Sequence, residues 1–178
     1  MLRQLTAFAA IAIFTAPAFA EDCGGSHAVD RCLVGQWQMT TNGMDAWRKK
    51  HLKNLRATTV KSDGNTITLN ADGTFSTGTS HSSAESTTAD GNMRASSAMS
   101  GQASGNWSAA GGKFNLCVKQ SSLQGSTTIT AAGKSTTSPI QPTMPAVSTQ
   151  TYTCAGETFS TTMKLTGDDV TSTYSKVK

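Results

Sequence analysis

Hydrophobic and polar side chains alternate along most of the chain. Leu33, Trp37 and Met39 occupy alternate positions of one short segment, which predicts a β-strand with one buried face. Residues 93–107 continue the same period for fifteen positions, which is long for one strand. We therefore expect a bulge or bend near Gly101.

A hairpin pattern occurs twice, forty-five residues apart. The segment from Trp107 to Phe114 and the segment from Tyr152 to Phe159 both begin with an aromatic residue, pass through a glycine-bearing turn and end on Phe. Repetition of this kind predicts a meandering antiparallel sheet built from hairpins and closed on itself.

One segment has helical spacing. Met44, Trp47, His51 and Leu55 stand at i, i+3, i+7 and i+11, which predicts a helix over residues 43–56 with one apolar stripe. Its other faces carry five cations: Arg48, Lys49, Lys50, Lys53 and Arg56. This basic surface is either the solvated side of a helix that closes one end of the sheet structure or a weak contact surface for an anionic membrane.

Turn signals divide the rest of the chain into short strands. They lie at residues 71–73, 89–91, 133 and 168–169, and prolines at 138–145 predict an irregular edge loop. The total is about eight to ten antiparallel strands and one short N-terminal helix. We predict an all-β, up-and-down β-barrel, and an open sandwich is the alternative.

The first twenty residues have the organisation of a secretory signal peptide. Arg3 is followed by an apolar run from Ala7 to Phe14 and by Ala18-Phe19-Ala20, a small-residue cleavage site. We therefore predict a signal peptide at 1–20, one domain at 21–178, and a periplasmic or secreted location. No other segment has the length of a transmembrane helix.

Four cysteines follow the predicted cleavage site. In an oxidising compartment, an even number favours two disulfides, and three pairings are possible. If the barrel closes its first strand against its last, Cys32 pairs with Cys154, which leaves Cys23 with Cys117.

Composition and motifs point away from several functions. The aromatic content is only 6%, too low for the aromatic girdles of an outer-membrane barrel. The net charge is +4 and no aromatics interleave with the cations, so nucleic-acid binding is not expected. His27, His51 and His81 stand in no catalytic or metal-binding motif. We expect no enzyme activity, no metal and no cofactor.

Three short motifs resemble those of small secreted bacterial lipocalin-like proteins of the calycin type. They are Cys32-Leu-Val-Gly35-Gln-Trp37, the turn from Asp72 to Phe75, and the hairpin from Tyr152 to Gly156. The resemblance implies a lipocalin-like barrel with the tryptophan across its closed end. The chain departs from the lipocalin pattern because its last strand offers Lys176 and Lys178 where that family has an arginine.

Small side chains alternate with methionine over residues 93–107, and this pattern leaves room for a ligand inside a barrel. We expect a barrel that binds a small hydrophobic or amphipathic molecule. The residues predicted to line its cavity are Leu33, Trp37, Met93, Met99, Trp107, Phe114, Tyr152 and Phe159. The alternative is a structural or protein-interaction module whose barrel is filled by its own side chains. The oligomeric state and the identity of a ligand are open.

Overall fold

The computed structural model describes residues 28–51, 55–63, 65–88, 90–141 and 147–178. The predicted signal peptide and Cys23 lie outside these ranges. The elements are β1 (Gly35–Thr41), α1 (Gly43–His51), β2 (Leu55–Asp63), β3 (Thr66–Leu69), β4 (Thr74–Thr77), β5 (Ser80–Thr88), β6 (Met93–Gly101), β7 (Ala103–Ala110), β8 (Lys113–Ser121), β9 (Gln124–Ala131), β10 (Lys134–Ile140), β11 (Val147–Ala155), β12 (Thr158–Leu165) and β13 (Asp168–Lys176).

Eight antiparallel strands form a closed barrel in the order β1, β13, β12, β11, β8, β7, β4 and β3. Closure occurs at β1, which pairs with β13 on one side and with β3 on the other. The predicted antiparallel barrel with one short helix is therefore confirmed, including the pairing of the first strand with the last.

The other five strands form a second antiparallel sheet in the order β10, β9, β6, β5 and β2. Each of them is joined directly in sequence to a barrel strand, and the barrel partners β11, β8, β7, β4 and β3 are neighbours in the same order. The second sheet is thus a continuation of five barrel strands beyond the rim, and we call it the extension.

The connection between the extension and the barrel bends at Gly101. This residue has φ +140°, and a Cβ atom there would lie 2.6 Å from the carbonyl oxygen of Ser122. Only glycine fits such a close approach. The bend predicted near Gly101 is found, and it separates β6 in the extension from β7 in the barrel.

One end of the barrel, the turn end, carries the connections at residues 70–73, 111–112 and 156–157. The segment 28–34 packs over this end, where the backbone N–H of Ala109 donates to the carbonyl oxygen of Ala28 at 2.7 Å. The predicted disulfide Cys32–Cys154 is present and fixes the segment to β11. Cys117 is also disulfide-bonded, and its predicted partner Cys23 lies outside the described residues.

The opposite end, the mouth, carries α1, the β12–β13 turn and the base of the extension. Helix α1 contacts β13, because Gly43 lies directly on its backbone: a Cβ atom at Gly43 would be 2.4 Å from the carbonyl oxygen of Thr171. The segment 28–34 therefore closes the turn end, whereas α1, the β12–β13 turn and the base of the extension border the mouth.

Two predicted boundaries are wrong. The helix ends at His51, and Arg56 belongs to β2; Leu55, the last residue of the predicted apolar stripe, is the first residue of β2. Residues 138–140 are not loop but the end of β10. Pro139 has no backbone N–H to donate, and it is accommodated there because β10 is an edge strand with a neighbouring strand on one side only.

Tyr152 fixes the segment 28–34 through a second contact. Its hydroxyl donates to Asp30 Oδ2 at 2.7 Å, and Asp30 Oδ1 accepts from the backbone N–H of Cys32 at 2.9 Å. Burial, together with the neighbouring Asp30 carboxylate, raises the pKa of Tyr152 from 10.0 to about 12.

The raised pKa predicts a loss of stability in alkali. The neutral phenol is favoured in the folded state, so its contribution is complete below pH 10 and is lost as pH rises towards 12. In Tyr152→Phe, we expect the thermal midpoint to fall less steeply between pH 10 and 12 than in the wild type. A remaining slope is expected because burial also raises the pKa of Tyr174. Equal slopes in the two proteins would contradict the assignment.

Candidate functional site

The structure brings six of the eight predicted cavity residues together in the barrel. Leu33, Trp37, Trp107, Phe114 and Phe159 are buried in one hydrophobic core, and Tyr152 packs against it. The other two, Met93 and Met99, lie on β6 and therefore belong to the extension. Met93 and Met99 were predicted to point into the barrel, but they lie outside it because the strand leaves the barrel at Gly101.

Trp37 lies at the centre of the core and is fully buried. Its indole N–H donates to the carbonyl oxygen of Leu33 at 2.7 Å, and its ring meets Phe159 edge-on at 4.8 Å between centroids. Lys176 Nζ lies 5.4 Å from the centre of the indole ring, within reach of a cation–π interaction. Gly35 permits this approach, since a Cβ atom there would be 2.9 Å from Lys176 Cε.

Aromatic rings fill the turn-end half of the barrel. Phe159 stacks on Tyr174 at 4.4 Å, and Phe114 lies 6.4 Å from Phe159 and 6.2 Å from Trp107. Nearer the mouth, Thr161 and Val170 are also buried, each with 4% of its surface exposed. The aromatic residues predicted to line a cavity therefore pack against one another.

A cavity of about 350 Å³ lies outside this core, at the mouth. It is bounded by the barrel rim, helix α1 and the base of the extension, and we call it the mouth cavity. Its lining residues are Met39, Asn42, Arg48, Asn65, Ser80, Ser82, Ser83, Ala84, Ser97, Met99 and Leu123. Met39 is two residues from Trp37 on β1, so it points to the barrel interior and forms the floor of the cavity.

Met99 reaches the mouth cavity because the neighbouring strand has no side chain opposite it. Met99 pairs with Gly125 on β9, and a Cβ atom at Gly125 would lie 2.7 Å from Met99 Cγ. The glycine thus leaves the space that the thioether side chain occupies.

Polar groups surround this apolar floor. Arg48 is the only charged side chain among the described residues that line the cavity. It forms one ion pair, between its Nη1 and Asp45 Oδ1 at 3.2 Å, and a guanidinium has further N–H donors. The side chain of Asn42 caps the helix by accepting from the backbone N–H of Met44 at 3.0 Å.

Helix α1 is held at the mouth by Asp168, the first residue of β13. Asp168 pairs with Lys50 at 2.7 Å and with the ring of His51, and these hydrogen bonds hold the pKa of its carboxyl below the usual value. Trp47 stacks on His51 at 4.8 Å and donates to Thr166 Oγ1 at 3.3 Å. Two cations of the predicted basic surface, Arg48 and Lys50, are thus engaged in ion pairs within the protein.

The two faces of the extension differ. The inner face is continuous with the barrel interior and carries Met99. The outer face has a shallow cavity of about 530 Å³ bordered by Lys61, His81 and Gln124. Hydroxyl pairs also lie on it, with Oγ1 of Thr128 and of Thr137 2.8 Å apart. The outer face is therefore polar.

No three His, Cys, Asp or Glu side chains among the described residues are grouped as a metal site would require. No described helix is both long enough and apolar enough to span a membrane.

Comparison of the chain with protein-family models, curated proteins and solved structures finds no match. The closed eight-stranded antiparallel barrel is consistent with a calycin-like fold. Membership of the lipocalin-like family stays a prediction that rests on the three short sequence motifs.

Sequence patterns predicted that the aromatic residues point into the barrel, but not that a cavity lies at its mouth. Met39 and a helix beginning at residue 43 were visible in the pattern, and Arg48 was one of five helix cations. Their proximity to Met99 and Leu123 was not visible, because it depends on the bend at Gly101 and on the packing of α1.

Proposed function

We propose that the protein is a secreted or periplasmic binding protein without enzyme activity, and that its site is the mouth cavity. Its ligand is a small amphipathic molecule with an acidic or strongly polar end. The observation that carries this proposal is an apolar floor of Met39, Met99 and Leu123 beneath a polar rim with one cation, Arg48.

The chemistry of the cavity supports this ligand class. A volume of a few hundred cubic ångströms that combines an apolar part with directed polar groups is typical of small-molecule sites. The thioethers of Met39 and Met99 adapt to irregular apolar groups, and the guanidinium N–H groups of Arg48 suit a carboxylate or phosphate. The Cys32–Cys154 disulfide supports an oxidising compartment.

A second candidate function is favoured by one observation. The aromatic rings of Trp37, Trp107, Phe114 and Phe159 pack against each other in the barrel. A barrel filled in this way also suits a structural or interaction module, whose working surface would be the polar outer face of the extension.

Binding of the anionic fluorophore anilinonaphthalene sulfonate tests the proposal. We expect saturable binding to the purified protein, and we expect Arg48→Gln to weaken it about tenfold or more, since a charge-assisted hydrogen bond contributes about 1.5–3 kcal/mol. Ala84→Trp should also abolish binding by filling the cavity with an indole ring.

Arg94→Gln is the matched control. Arg94 also forms an ion pair, with Glu85 at 2.8 Å, but it lies on the outer face of the extension and does not line the cavity. The affinity of the Arg94→Gln variant for the fluorophore should stay within about twofold of the wild-type value. Binding that is unaffected by both Arg48→Gln and Ala84→Trp, or no saturable binding at all, would refute the mouth site and favour the interaction module.

A further inference from the structure

The N-terminal end of helix α1 is fixed to the barrel through its backbone. Gly43 is buried, and a Cβ atom there would overlap the backbone of Thr171. Its N–H donates to Ser172 Oγ at 3.2 Å. This end of the helix therefore cannot move without disturbing β13.

The C-terminal half of α1 is held by side chains at the surface. Lys50 and His51 are exposed, and both contact the carboxylate of Asp168. Trp47 adds a hydrogen bond to Thr166 Oγ1. We call the contact of Lys50 and His51 with Asp168 the latch. Ion pairs at the surface are weak, so this half of the helix can be released while the barrel core stays packed.

Arg48 connects the latch with the mouth cavity. It lies on the latched half of α1, about one helical turn before His51, and it lines the cavity. Its ion pair is with Asp45 on the same helix, so Arg48 moves with α1. Release of the latch would therefore carry Arg48 away from the cavity and widen the entrance between the helix and the extension.

The latch contains a group whose charge depends on pH. Asp168 Oδ1 accepts from Lys50, and Oδ2 contacts the ring of His51. The neighbouring acid, Asp169, pairs instead with Lys164 of β12 at 2.7 Å. The hydrogen bonds from Lys50 and His51 hold the pKa of the Asp168 carboxyl below its usual value, so the carboxylate is charged near neutral pH. Histidine changes charge between about pH 5 and 8, and a protonated ring forms the stronger, charge-assisted hydrogen bond.

We infer that α1 is a pH-sensitive lid of the mouth cavity, latched by Lys50 and His51 on Asp168 and held most firmly when His51 is protonated. The use of this lid rests on the proposed function. An anionic ligand at Arg48 contacts the lid itself, so ligand binding and protonation of His51 favour the same closed form. Ligand exchange is therefore slower at about pH 5.5 than at about pH 8.

Hydrogen exchange of the α1 amides tests the latch without a ligand. Protection factors correct for the intrinsic effect of pH and report local opening. In the wild type, we expect the last turn of α1 to be protected about threefold more at about pH 5.5 than at about pH 8. His51→Gln should remove this difference. His81→Gln is the matched control and should keep it, because His81 lies on the outer face of the extension.

Asp168→Asn tests the link between the latch and the cavity. Loss of the carboxylate should lower the protection of α1 about threefold to tenfold at about pH 5.5 and accelerate dissociation of the anionic fluorophore by a similar factor. The sulfonate of the fluorophore keeps its charge over this pH range. Asp169→Asn makes the same change of charge one residue away and should alter both quantities less than about twofold. The Tyr152 amide, bonded to Gly112 in the barrel, should keep its protection in both variants.

The outcomes separate the lid from the proposed function. If the fluorophore does not bind the wild type, the mouth site is wrong, and the protection factors still decide whether the latch exists. If the protection of α1 is independent of pH, or unchanged in Asp168→Asn, the latch is refuted and the mouth site stands. If protection falls in Asp168→Asn but dissociation is not accelerated, α1 moves without being the lid, and the inference is overturned.

Discussion

Replacing Trp37 with alanine is expected to lower the free energy of unfolding by about 3–5 kcal/mol. The side chain is fully buried, it meets Phe159 edge-on, and it supplies the partner for the carbonyl oxygen of Leu33. Its removal would leave a large cavity at the point where β1 closes the barrel. The measurement is urea unfolding followed by circular dichroism.

Trp47→Ala is the control for this substitution. Trp47 is an indole of the same size, but it lies on helix α1, stacked on His51 and hydrogen-bonded to Thr166 near the surface. Its loss should lower the free energy of unfolding by about 1 kcal/mol or less, as is usual for substitutions away from the core. Similar losses in the two variants would show that Trp37 is not the centre of the core.

Removing the disulfide in Cys32→Ser/Cys154→Ser should reduce stability by about 2–4 kcal/mol, or roughly 5–15 °C in the thermal midpoint for a chain of this size. The bond joins residues 122 positions apart, so it restricts the unfolded chain strongly. It also holds the segment 28–34 over the turn end.

A local measurement separates this role from a general loss of stability. The backbone N–H of Ala109 donates to Ala28, so its hydrogen exchange should accelerate in the double variant more than that of Tyr152, whose N–H donates to Gly112 of the barrel itself. An unchanged midpoint together with continued protection of Ala109 would contradict the proposed role of the bond.

The barrel was predictable from the sequence because its signals are local. Alternation at Trp37, the two copies of the hairpin at Trp107 and Tyr152, and the turns each define a pairing between neighbouring strands. The bond between Cys32 and Cys154 was also predicted, from the expectation that the first strand lies beside the last. It is instead the segment 28–34, crossing the turn end, that brings Cys32 to β11, which is separated from β13 by β12. Buried aromatic positions were also predictable, since a large apolar side chain in a strand of alternating pattern is expected on the face that packs against the core.

The extension was not predictable, because its strands carry no signal that distinguishes one sheet from another. The alternation of residues 93–107 keeps the same phase through Gly101, so the pattern is the same whether the strand stays in the barrel or leaves it. Serine and threonine occur on both faces of the extension, so the sequence does not indicate which of the two faces is buried. The mouth cavity depends on this bend and on contacts between residues far apart in sequence, such as Arg48 and Met99.

Closure removes every open edge from the barrel, and the extension introduces two new ones, at β2 and β10. An open edge is a site at which two copies of a protein can join into a continuous sheet and aggregate. Pro139 interrupts the row of N–H donors along β10, and Lys134 and Lys61 place positive charges on the two edge strands. The same features that make β10 a poor strand by composition therefore protect the solubility of a sheet that projects from its barrel.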